Sequence, residues 1–427
     1  MKTISKYINT KIDAGALYYA IFISFIVAIL CMFLISYTYL NNSYVNQIIL
    51  QEQLVLNVKS GINLICKNPD VLKYKEIKEL NLFDNTYDKV KLEKKHWGAY
   101  DLVYAKSTRQ SFKYSKIAFC GDNLSKKESI ALYLSDNKKY LSISGSTFLN
   151  GTCYLPELGI KRAYIEGLGY ENNKLVFGEI KQSKNSLPLL DPKKLEYLKL
   201  LMNTNSNDSV VFFSGDMVGR QIKNSFYNKP LVIDFGKIES VENLNFEGNI
   251  ILRFEKEITI ASNCDFNNVI IVAPSVIFSA GFSGKVQVVA NEKIQTQSNC
   301  QLIYPSFLGV FQKNKEDKSS ISIGENNVIA GGVLFYTDEQ KTQKQIKISV
   351  AKTSSIYGVV YCKGLVSLKG CIVGTLFCEG FKFRTSSSLY ENHLLNASID
   401  YSRLPKEFVG VNIFDEIIEQ ENIMWVQ

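Results

Sequence analysis

The sequence predicts a mainly β protein: a parallel β-solenoid (β-helix) preceded by a small β-rich connector and a long N-terminal transmembrane and amphipathic α-helix. Three observations support this fold class. An uncharged run near the start is long enough to cross a bilayer, alternating hydrophobic residues follow, and after residue 250 similar residues recur every eighteen positions. With 427 residues and 46% hydrophobic content, the chain can bury a substantial core.

The transmembrane helix is predicted at residues 14–40, AGALYYAIFISFIVAILCMFLISYTYL, which contain no charged residue. As a helix this run would be about 40 Å long, enough to span a bilayer with some tilt. A cleaved secretory signal is the alternative, but its apolar core is shorter and ends at small residues. Residues 41–68 continue without proline, which predicts an amphipathic extension of the same helix.

Charge around the apolar run predicts its orientation. Three lysines lie in the basic leader, residues 1–13, whereas the twenty residues after the run carry only Glu52 and Lys59. The positive-inside rule then places the leader in the cytoplasm. We therefore expect a single-pass protein of the bacterial inner membrane, with the bulk of the chain periplasmic or extracellular.

The first 65 residues or so resemble pilin-like proteins, the minor pseudopilins of type IV pilus and type II secretion systems, in which a short basic leader ends in glycine before such a helix. The resemblance implies cleavage between Gly15 and Ala16. It also implies pilin-like proteins or further copies of this chain as partners. The family usually has glutamate at the fifth mature position, where this chain has Ala20. An uncleaved signal anchor is the alternative.

Residues 69–140 are predicted to form the β-rich connector, since KVKLEKKHW at residues 89–97 alternates hydrophobic with charged positions. Within residues 141–208, LSISGSTFLNGTCYLP has the cadence of a first solenoid turn, and a charged excursion follows. We expect this excursion and the tail, residues 386–427, to cap the solenoid ends.

The solenoid itself is predicted at residues 209–385. Rows of eighteen residues align a core column of Phe246, Cys264, Phe282 and Cys300. Beside it lies a corner column of residue types that tolerate a positive φ, Asn245, Asn263, Gly281 and Asn299. Three further columns are Leu252, Ile270 and Val288; Ile258, Val276 and Ile294; and Ile260, Phe278 and Thr296. The columns predict inward-facing side chains that stack from turn to turn.

Later turns repeat at irregular spacing. Ile329, Ile356 and Ile372 each precede a glycine by two positions. Over roughly 130 residues this cadence resembles bactofilins and related polymer-forming β-helix proteins. The resemblance leaves open a cytoskeletal polymer, which would need a cytoplasmic coil with free ends.

Composition argues against several classes of function. The 49 basic and 41 acidic residues are spread along the chain, so we expect no nucleic-acid partner. Nine cysteines form no CxxC pair and accompany two histidines, so we expect no metal and no cofactor. His96 and His393 lack neighbouring donors, and Ser214-Gly215-Asp216 is typical of a turn. We assign no catalytic residue and expect a protein that is not an enzyme.

The expected function is that of a membrane-anchored structural protein of the cell envelope, which presents its solenoid to partner proteins. The alternative is a polysaccharide-binding or polysaccharide-processing protein. A groove lined by exposed Tyr or Trp and paired carboxylates would favour this alternative. Cys120 and Cys153 could form a disulfide in an oxidising compartment or remain two buried thiols.

Overall fold

The computed structural model describes residues 14–83, 89–124, 128–202, 209–313, 318–338, 345–385, 388–416 and 419–426. Within these ranges the protein is mainly β, with one long apolar helix near the N-terminus. The basic leader, residues 1–13, lies outside the described residues.

The helices are α1 (Ala14–Lys67) and α2 (Pro192–Leu201), with short 3-10 helices at Pro69–Val71 and Gly215–Met217. The strands, in chain order, are β1 (Ile77–Asn81), β2 (Lys89–Trp97), β3 (Tyr100–Arg109), β4 (Phe112–Asn123), β5 (Ile130–Leu134), β6 (Leu141–Ser144), β7 (Phe148–Asn150), β8 (Thr152–Leu155), β9 (Ile160–Arg162), β10 (Ile180–Gln182), β11 (Ser209–Phe212), β12 (Gln221–Asn224), β13 (Leu231–Asp234), β14 (Ser240–Val241), β15 (Asn245–Arg253), β16 (Ile258–Ile260), β17 (Asp265–Phe278), β18 (Ser283–Thr296), β19 (Gln301–Gln312), β20 (Ser320–Ile323), β21 (Val328–Thr337), β22 (Ile346–Val350), β23 (Ser355–Leu368), β24 (Cys371–Arg384), β25 (Leu389–Glu391), β26 (His393–Leu395), β27 (Ser398–Asp400), β28 (Val409–Gly410) and β29 (Gln420–Val426).

Helix α1 unites the predicted span and its amphipathic extension in one element of 54 residues. Its first half is apolar and exposed, and it is long and apolar enough to span a membrane. In its second half a stripe at helical spacing is buried, Leu54, Val58, Ile62 and Ile65. This stripe packs against an antiparallel sheet, so α1 has one free half and one docked half.

That antiparallel sheet is formed by β1 to β4 in chain order and is completed by the C-terminal tail. Strands β28 and β29 both pair with β4, for example Gly410 with Asp122 and Trp425 with Ala118. The expectation that the whole tail caps a solenoid end is therefore wrong. The free edge of β4 offers unpaired backbone groups, and the tail satisfies them.

The rest of the β structure is the parallel stack, which we define as the described residues of 130–182 and 209–400. Most of its strands pair in parallel with a strand one lap further along the chain, as Phe266 does with Gly284 and Ser355 with Cys371. The ladders join twenty strands, almost all of them parallel, into one closed arrangement. Its interior is apolar and buried, and burial of this apolar surface stabilises the stack.

The order of laps in the stack differs from the order along the chain. Strand β5 pairs with β24 through Leu132 and Leu376, and β7 pairs with β27 through Phe148 and Ser398. Residues 130–182 therefore continue the stack beyond residue 400. In the stack they lie after the lap that ends near residue 400 and not before the lap that starts at residue 209. The expected first solenoid turn at 141–208 is therefore misplaced, and residues 130–140 belong to the stack and not to the connector. The chain then returns through α2 and starts the other end at β11.

The eighteen-residue period holds in part of the stack. The columns through Val276 and Phe278 are confirmed by the pairing of β16, β17 and β18. In the column with Leu252 and Val288, however, the middle residue is Ile271 and not Ile270. A β-bulge next to Asn268, which has a φ of 59°, shifts the register by one residue.

Candidate functional site

Three residues of the predicted core column lie inside the stack on successive laps. Cys264, Phe282 and Cys300 are buried, with at most 3% of each side chain exposed. The Gln301 N–H donates to the Phe282 carbonyl at 2.8 Å, which sets Phe282 and Cys300 in adjacent laps. Phe246 is also buried but belongs to the neighbouring column, where it stacks on Phe266 with ring centroids 5.7 Å apart.

The predicted corner column is wrong in the lap that contains β15. Asn245 is the first residue of β15 and pairs with Asp265 of β17, so it is not at a corner. The left-handed corner lies two residues earlier, at Asn243, which has a φ of 52°. Gly281 and Asn299 have positive φ angles, as predicted for a corner. The prediction is wrong for Asn263, which does not have a positive φ; its side-chain Oδ1 instead accepts the Asn243 N–H at 3.0 Å. The bulge at Gly248 lengthens this lap and displaces both columns.

A buried carboxylate that the sequence analysis did not single out, Asp101 on β3, is the centre of the most concentrated polar cluster described. Its side chain is fully buried. It accepts hydrogen bonds from Lys194 Nζ at 2.8 Å, Tyr74 Oη at 2.9 Å, Asn412 Nδ2 at 2.6 Å and Gln420 Nε2 at 2.8 Å. Two further groups complete the shell, His96 Nδ1 at 3.3 Å and Lys94 Nζ at 3.4 Å. We call these seven residues the Asp101 network.

Two lysines, Lys94 and Lys194, surround the single carboxylate of the network. Burial acts to raise the pKa of Asp101, but Lys194, Lys94 and His96 together hold it well below its usual range. Burial lowers the pKa of Lys194, and Asp101 opposes that shift. Burial also lowers the pKa of His96, whose ring is stacked 3.5 Å from the ring of Tyr74. Asp101 is thus ionised and surrounded by donors, an arrangement that stabilises its charge inside the protein.

The network joins parts of the chain that are far apart in sequence. Its members come from the segment after α1, from the β2–β3 hairpin, from α2 and from the C-terminal tail. Asp191 caps α2 by accepting the Lys193 N–H at 2.9 Å, and this start of the helix directs Lys194 toward Asp101. One signal for the site was present in the sequence. The alternation that buries Val90 and Leu92 also places Lys94 on the inner face.

A second polar contact fixes the sheet to the stack. Gln287, on β18, is buried on the outside of the stack against the β2–β3 hairpin. Its Oε1 accepts the Ala99 N–H at 2.8 Å, and its Nε2 donates to the Trp97 carbonyl at 3.1 Å. Gly98 has a φ of 59°, and a Cβ there would lie 2.1 Å from the Gln287 amide oxygen. The hairpin therefore requires glycine at this contact.

Beside this contact lies a cleft of about 300 Å³ between the sheet and the loop that follows β12. Its lining includes four aromatic side chains, Trp97, Tyr104, Phe226 and Tyr227, and one carboxylate, Glu93. Two buried polar atoms of lining residues, Trp97 Nε1 and Asn249 Oδ1, have no hydrogen-bond partner among the described residues. The cleft therefore has aromatic walls but lacks the paired carboxylates expected of a glycosidase.

The other sequence candidates for chemistry are not brought together. His393 contacts the Glu391 carbonyl at 2.6 Å on β26, far from the Asp101 network. Ser214 donates to Asp216 within the 3-10 helix, an arrangement typical of a turn. Within the described ranges no group of three His, Cys, Asp or Glu side chains is placed to hold a metal ion.

The cysteines are arranged differently from the expected pair. Cys120 lies beside Cys66 of α1, whereas Cys153 is buried inside the stack. Cys362 and Cys378 are register partners on β23 and β24. All nine cysteines are free thiols in the structure.

In comparisons with known proteins, no protein-family model, no curated protein and no solved structure matches the chain.

Proposed function

We propose that the protein is a membrane-anchored, non-enzymatic scaffold of the bacterial cell envelope, in which the parallel stack is a β-solenoid that presents its surface to partner proteins. The observation that carries this proposal is the division of α1 into an exposed apolar half and a half docked on the sheet. Exposed leucine, isoleucine and phenylalanine over such a length require an apolar environment.

The proposed mechanism is mechanical. A force on the membrane helix is transmitted to the sheet through the docked half of α1. The Asp101 network connects the sheet to α2 and the tail, and Gln287 connects it to the stack. Each lap of the stack is bonded to its neighbours by parallel ladders, so the stack is stiff along its axis. A stiff body on a membrane helix provides reach and a constant surface for partners.

For orientation we propose a cytoplasmic N-terminus and a periplasmic or extracellular stack. The leader carries three lysines, whereas the twenty residues after the span carry one, Lys59. We further propose that the chain is pilin-like, with processing between Gly15 and Ala16 and assembly with pilin-like partners. Both residues lie in the first exposed turn of α1. A helix of 54 residues with an apolar first half supports the proposal.

The test uses full-length protein in its native membrane. Resistance to alkaline carbonate extraction and digestion of the stack by protease added to spheroplasts would support the anchored, outward-facing scaffold. Extraction by carbonate, or protection of the stack until the cells are lysed, would overturn it. N-terminal sequencing tests the pilin-like assignment separately, because a start at Ala16 supports it and a start at Met1 contradicts it.

A second candidate function, glycan binding, rests on the cleft beside Trp97. Aromatic faces pack against the apolar faces of sugar rings, and the two unpartnered polar atoms could pair with hydroxyl groups. The chain has two tryptophans, so Trp425→Phe leaves Trp97 as the only indole reporter. Soluble peptidoglycan fragments should then change its fluorescence saturably, and Tyr227→Ala should weaken this response. No response to the fragments would exclude this candidate.

A further inference from the structure

The contact between α1 and the sheet contains two cysteines side by side. Cys66 is the penultimate residue of α1, and Cys120 lies on β4. Their sulfur atoms are 3.3 Å apart, and at most 4% of either residue is exposed. The pair sits inside the apolar cluster that holds the docked half of the helix, next to Ile62, Ile65 and Ala118.

We propose that Cys66 and Cys120 form an intramolecular disulfide in the mature protein, which covalently fixes the membrane helix to the sheet. This inference rests on the proposed location of the stack outside the cytoplasm, because structural disulfides persist in oxidising compartments. Closing the bond requires the two sulfur atoms to approach from 3.3 Å to about 2.05 Å, a shift of little more than 1 Å. Side-chain rotation and a small movement of the helix end can supply it.

The oxidant is an external protein disulfide of a thiol–disulfide oxidoreductase. The thiolate of one cysteine attacks a sulfur of that disulfide, forming a mixed disulfide and releasing one external thiolate. The second cysteine, as its thiolate, then attacks the mixed disulfide and releases the other external thiolate. Two thiols and one external disulfide thus give the Cys66–Cys120 bond and two external thiols, and the two protons pass to the released thiolates.

Burial sets when this exchange can occur. The hydrogen bond with Cys66 and burial raise the pKa of the Cys120 thiol well above its usual range. The thiolate that exchange requires is therefore scarce once the helix has docked. We expect the bond to form during folding, and afterwards to be reduced only when the helix end undocks or the protein unfolds.

Of the two alternatives left open for Cys120 and Cys153, a disulfide or two buried thiols, the structure favours the second. Cys153 belongs to the core of the stack, and its thiol is directed to the Gly151 carbonyl at 3.7 Å. Cys120 belongs to the cluster beneath α1. A Cys120–Cys153 bond would have to join two separate cores, whereas Cys66 is already in contact with Cys120.

The test is peptide mapping of full-length protein taken from membranes, denatured in an alkylating reagent without prior reduction. A linked peptide pair containing Cys66 and Cys120 is expected in most molecules. Cys153→Ser should leave this pair unchanged. Cys66→Ser should leave Cys120 fully alkylated, and reduction should lower the melting temperature of the parent by a few degrees while leaving the Cys66→Ser/Cys120→Ser double variant unchanged.

The location is measured on the same cells with a membrane-impermeant amine reagent, which reads lysines of the stack and does not depend on cysteine. If Cys66 and Cys120 are free thiols in a protein whose stack the reagent labels, the disulfide is overturned and the proposed location stays intact. Free thiols in an unlabelled stack would overturn both. Linkage of Cys120 to any other cysteine would overturn the pairing.

Discussion

Asp101 is the single residue through which four parts of the chain contact one another. A buried carboxylate loses its hydration, and it recovers that free energy only through complete and well-placed partners. Here both carboxylate oxygens are occupied, by Lys194 on one and by Tyr74, Asn412 and Gln420 on the other. The free energy of unfolding should therefore depend steeply on this residue.

Replacing Asp101 by Asn removes the negative charge while nearly keeping the shape. Lys94 and Lys194 then remain buried without a counter-ion, and we expect the free energy of unfolding to fall by about 3 to 5 kcal/mol. Urea denaturation of the detergent-solubilised protein measures the change. Asp265→Asn, at an exposed position in β17, is the matched control and should leave the midpoint unchanged. Equal midpoints for both variants would contradict the role assigned to the network.

His96 should make stability depend on pH. Its folded pKa is lowered, first by burial and further by Lys194 and Lys94, while the hydrogen bond to the Asp101 carboxylate opposes the shift. The unfolded chain then binds a proton near pH 6.5 that the folded chain does not, so this contribution to stability is lost as pH falls below about 6.5.

Denaturation midpoints between pH 7 and 5 test this dependence. His96→Phe can keep the stacking with Tyr74 and Tyr197 but cannot titrate, so its midpoint should fall less steeply with decreasing pH. His393→Phe serves as the control for histidine loss elsewhere. An unchanged slope in His96→Phe would show that its folded pKa is not lowered.

At this scale the sequence predicted residue types better than their partners. The sequence predicted the lysines of β2 on the face opposite Val90 and Leu92, yet Lys94 lies on the inner face. Nothing in the local pattern could show that Asp101, about ninety residues before Lys194, would meet it. Long-range pairing depends on the packing of whole elements. The same limit explains why the sequence left open whether Cys120 and Cys153 form a disulfide or remain two buried thiols, and did not indicate the contact of Cys120 with Cys66.

At the scale of elements, the close approach of α1 to the sheet depends on Gly61. A Cβ at this position would lie 3.0 Å from Leu92 and 3.1 Å from Val90. The helix can therefore dock this closely only with glycine at the contact, although glycine weakens a helix by itself.

Gly61→Val should overpack this contact and lower the free energy of unfolding by about 1 to 3 kcal/mol. Gly215→Val makes the same substitution at an exposed site with no atom within 4 Å of the added Cβ. The melting temperature of the solubilised protein should fall for Gly61→Val and stay unchanged for Gly215→Val. A Gly61→Val protein as stable as the parent would mean that α1 docks less tightly than described.

The interior of the stack is a second element-scale feature, and Phe282 tests it. Phe282→Asp would bury an unpaired charge among Phe266, Phe278 and the cysteines of its column, so the stack should fail to fold. Ser283→Asp places the same charge on the adjacent, outward-facing residue and should be tolerated. Circular dichroism compares the two. A folded Phe282→Asp protein would contradict the inward direction of this column.

Much of the element pattern was predictable because side chains on strands alternate and laps repeat. The eighteen-residue period located the columns of Val276 and Phe278. It failed at Phe246 and Ile270, where bulges at Gly248 and Asn268 add residues to a lap. At Asn268 the inward-facing positions shift by one, and the sequence hides this shift because residues 269–273 are all hydrophobic. A bulge of this kind leaves only a weak sequence signal, a single Gly or Asn in a strand.

At the scale of the whole molecule, the stack is assembled from two chain segments in an order that the sequence does not reveal. Every lap has the same kind of apolar interior and the same parallel edges, so residues 130–182 could stack on either end of residues 209–400. The hydrophobic pattern is identical in both arrangements. The choice is made by specific contacts such as Asn150 Nδ2 to Asp400 Oδ1 at 3.0 Å, and by the sheet that holds both segments.

Zero-length carbodiimide cross-linking of the intact protein, followed by peptide mapping, tests this single bonded stack most directly. The account predicts a Lys139–Glu391 cross-link, which joins the two segments, alongside the Lys256–Glu239 cross-link between adjacent laps of one segment. Finding Lys256–Glu239 without Lys139–Glu391, or finding residues 130–182 linked to residues 209–224, would contradict the order of laps and with it the proposed scaffold.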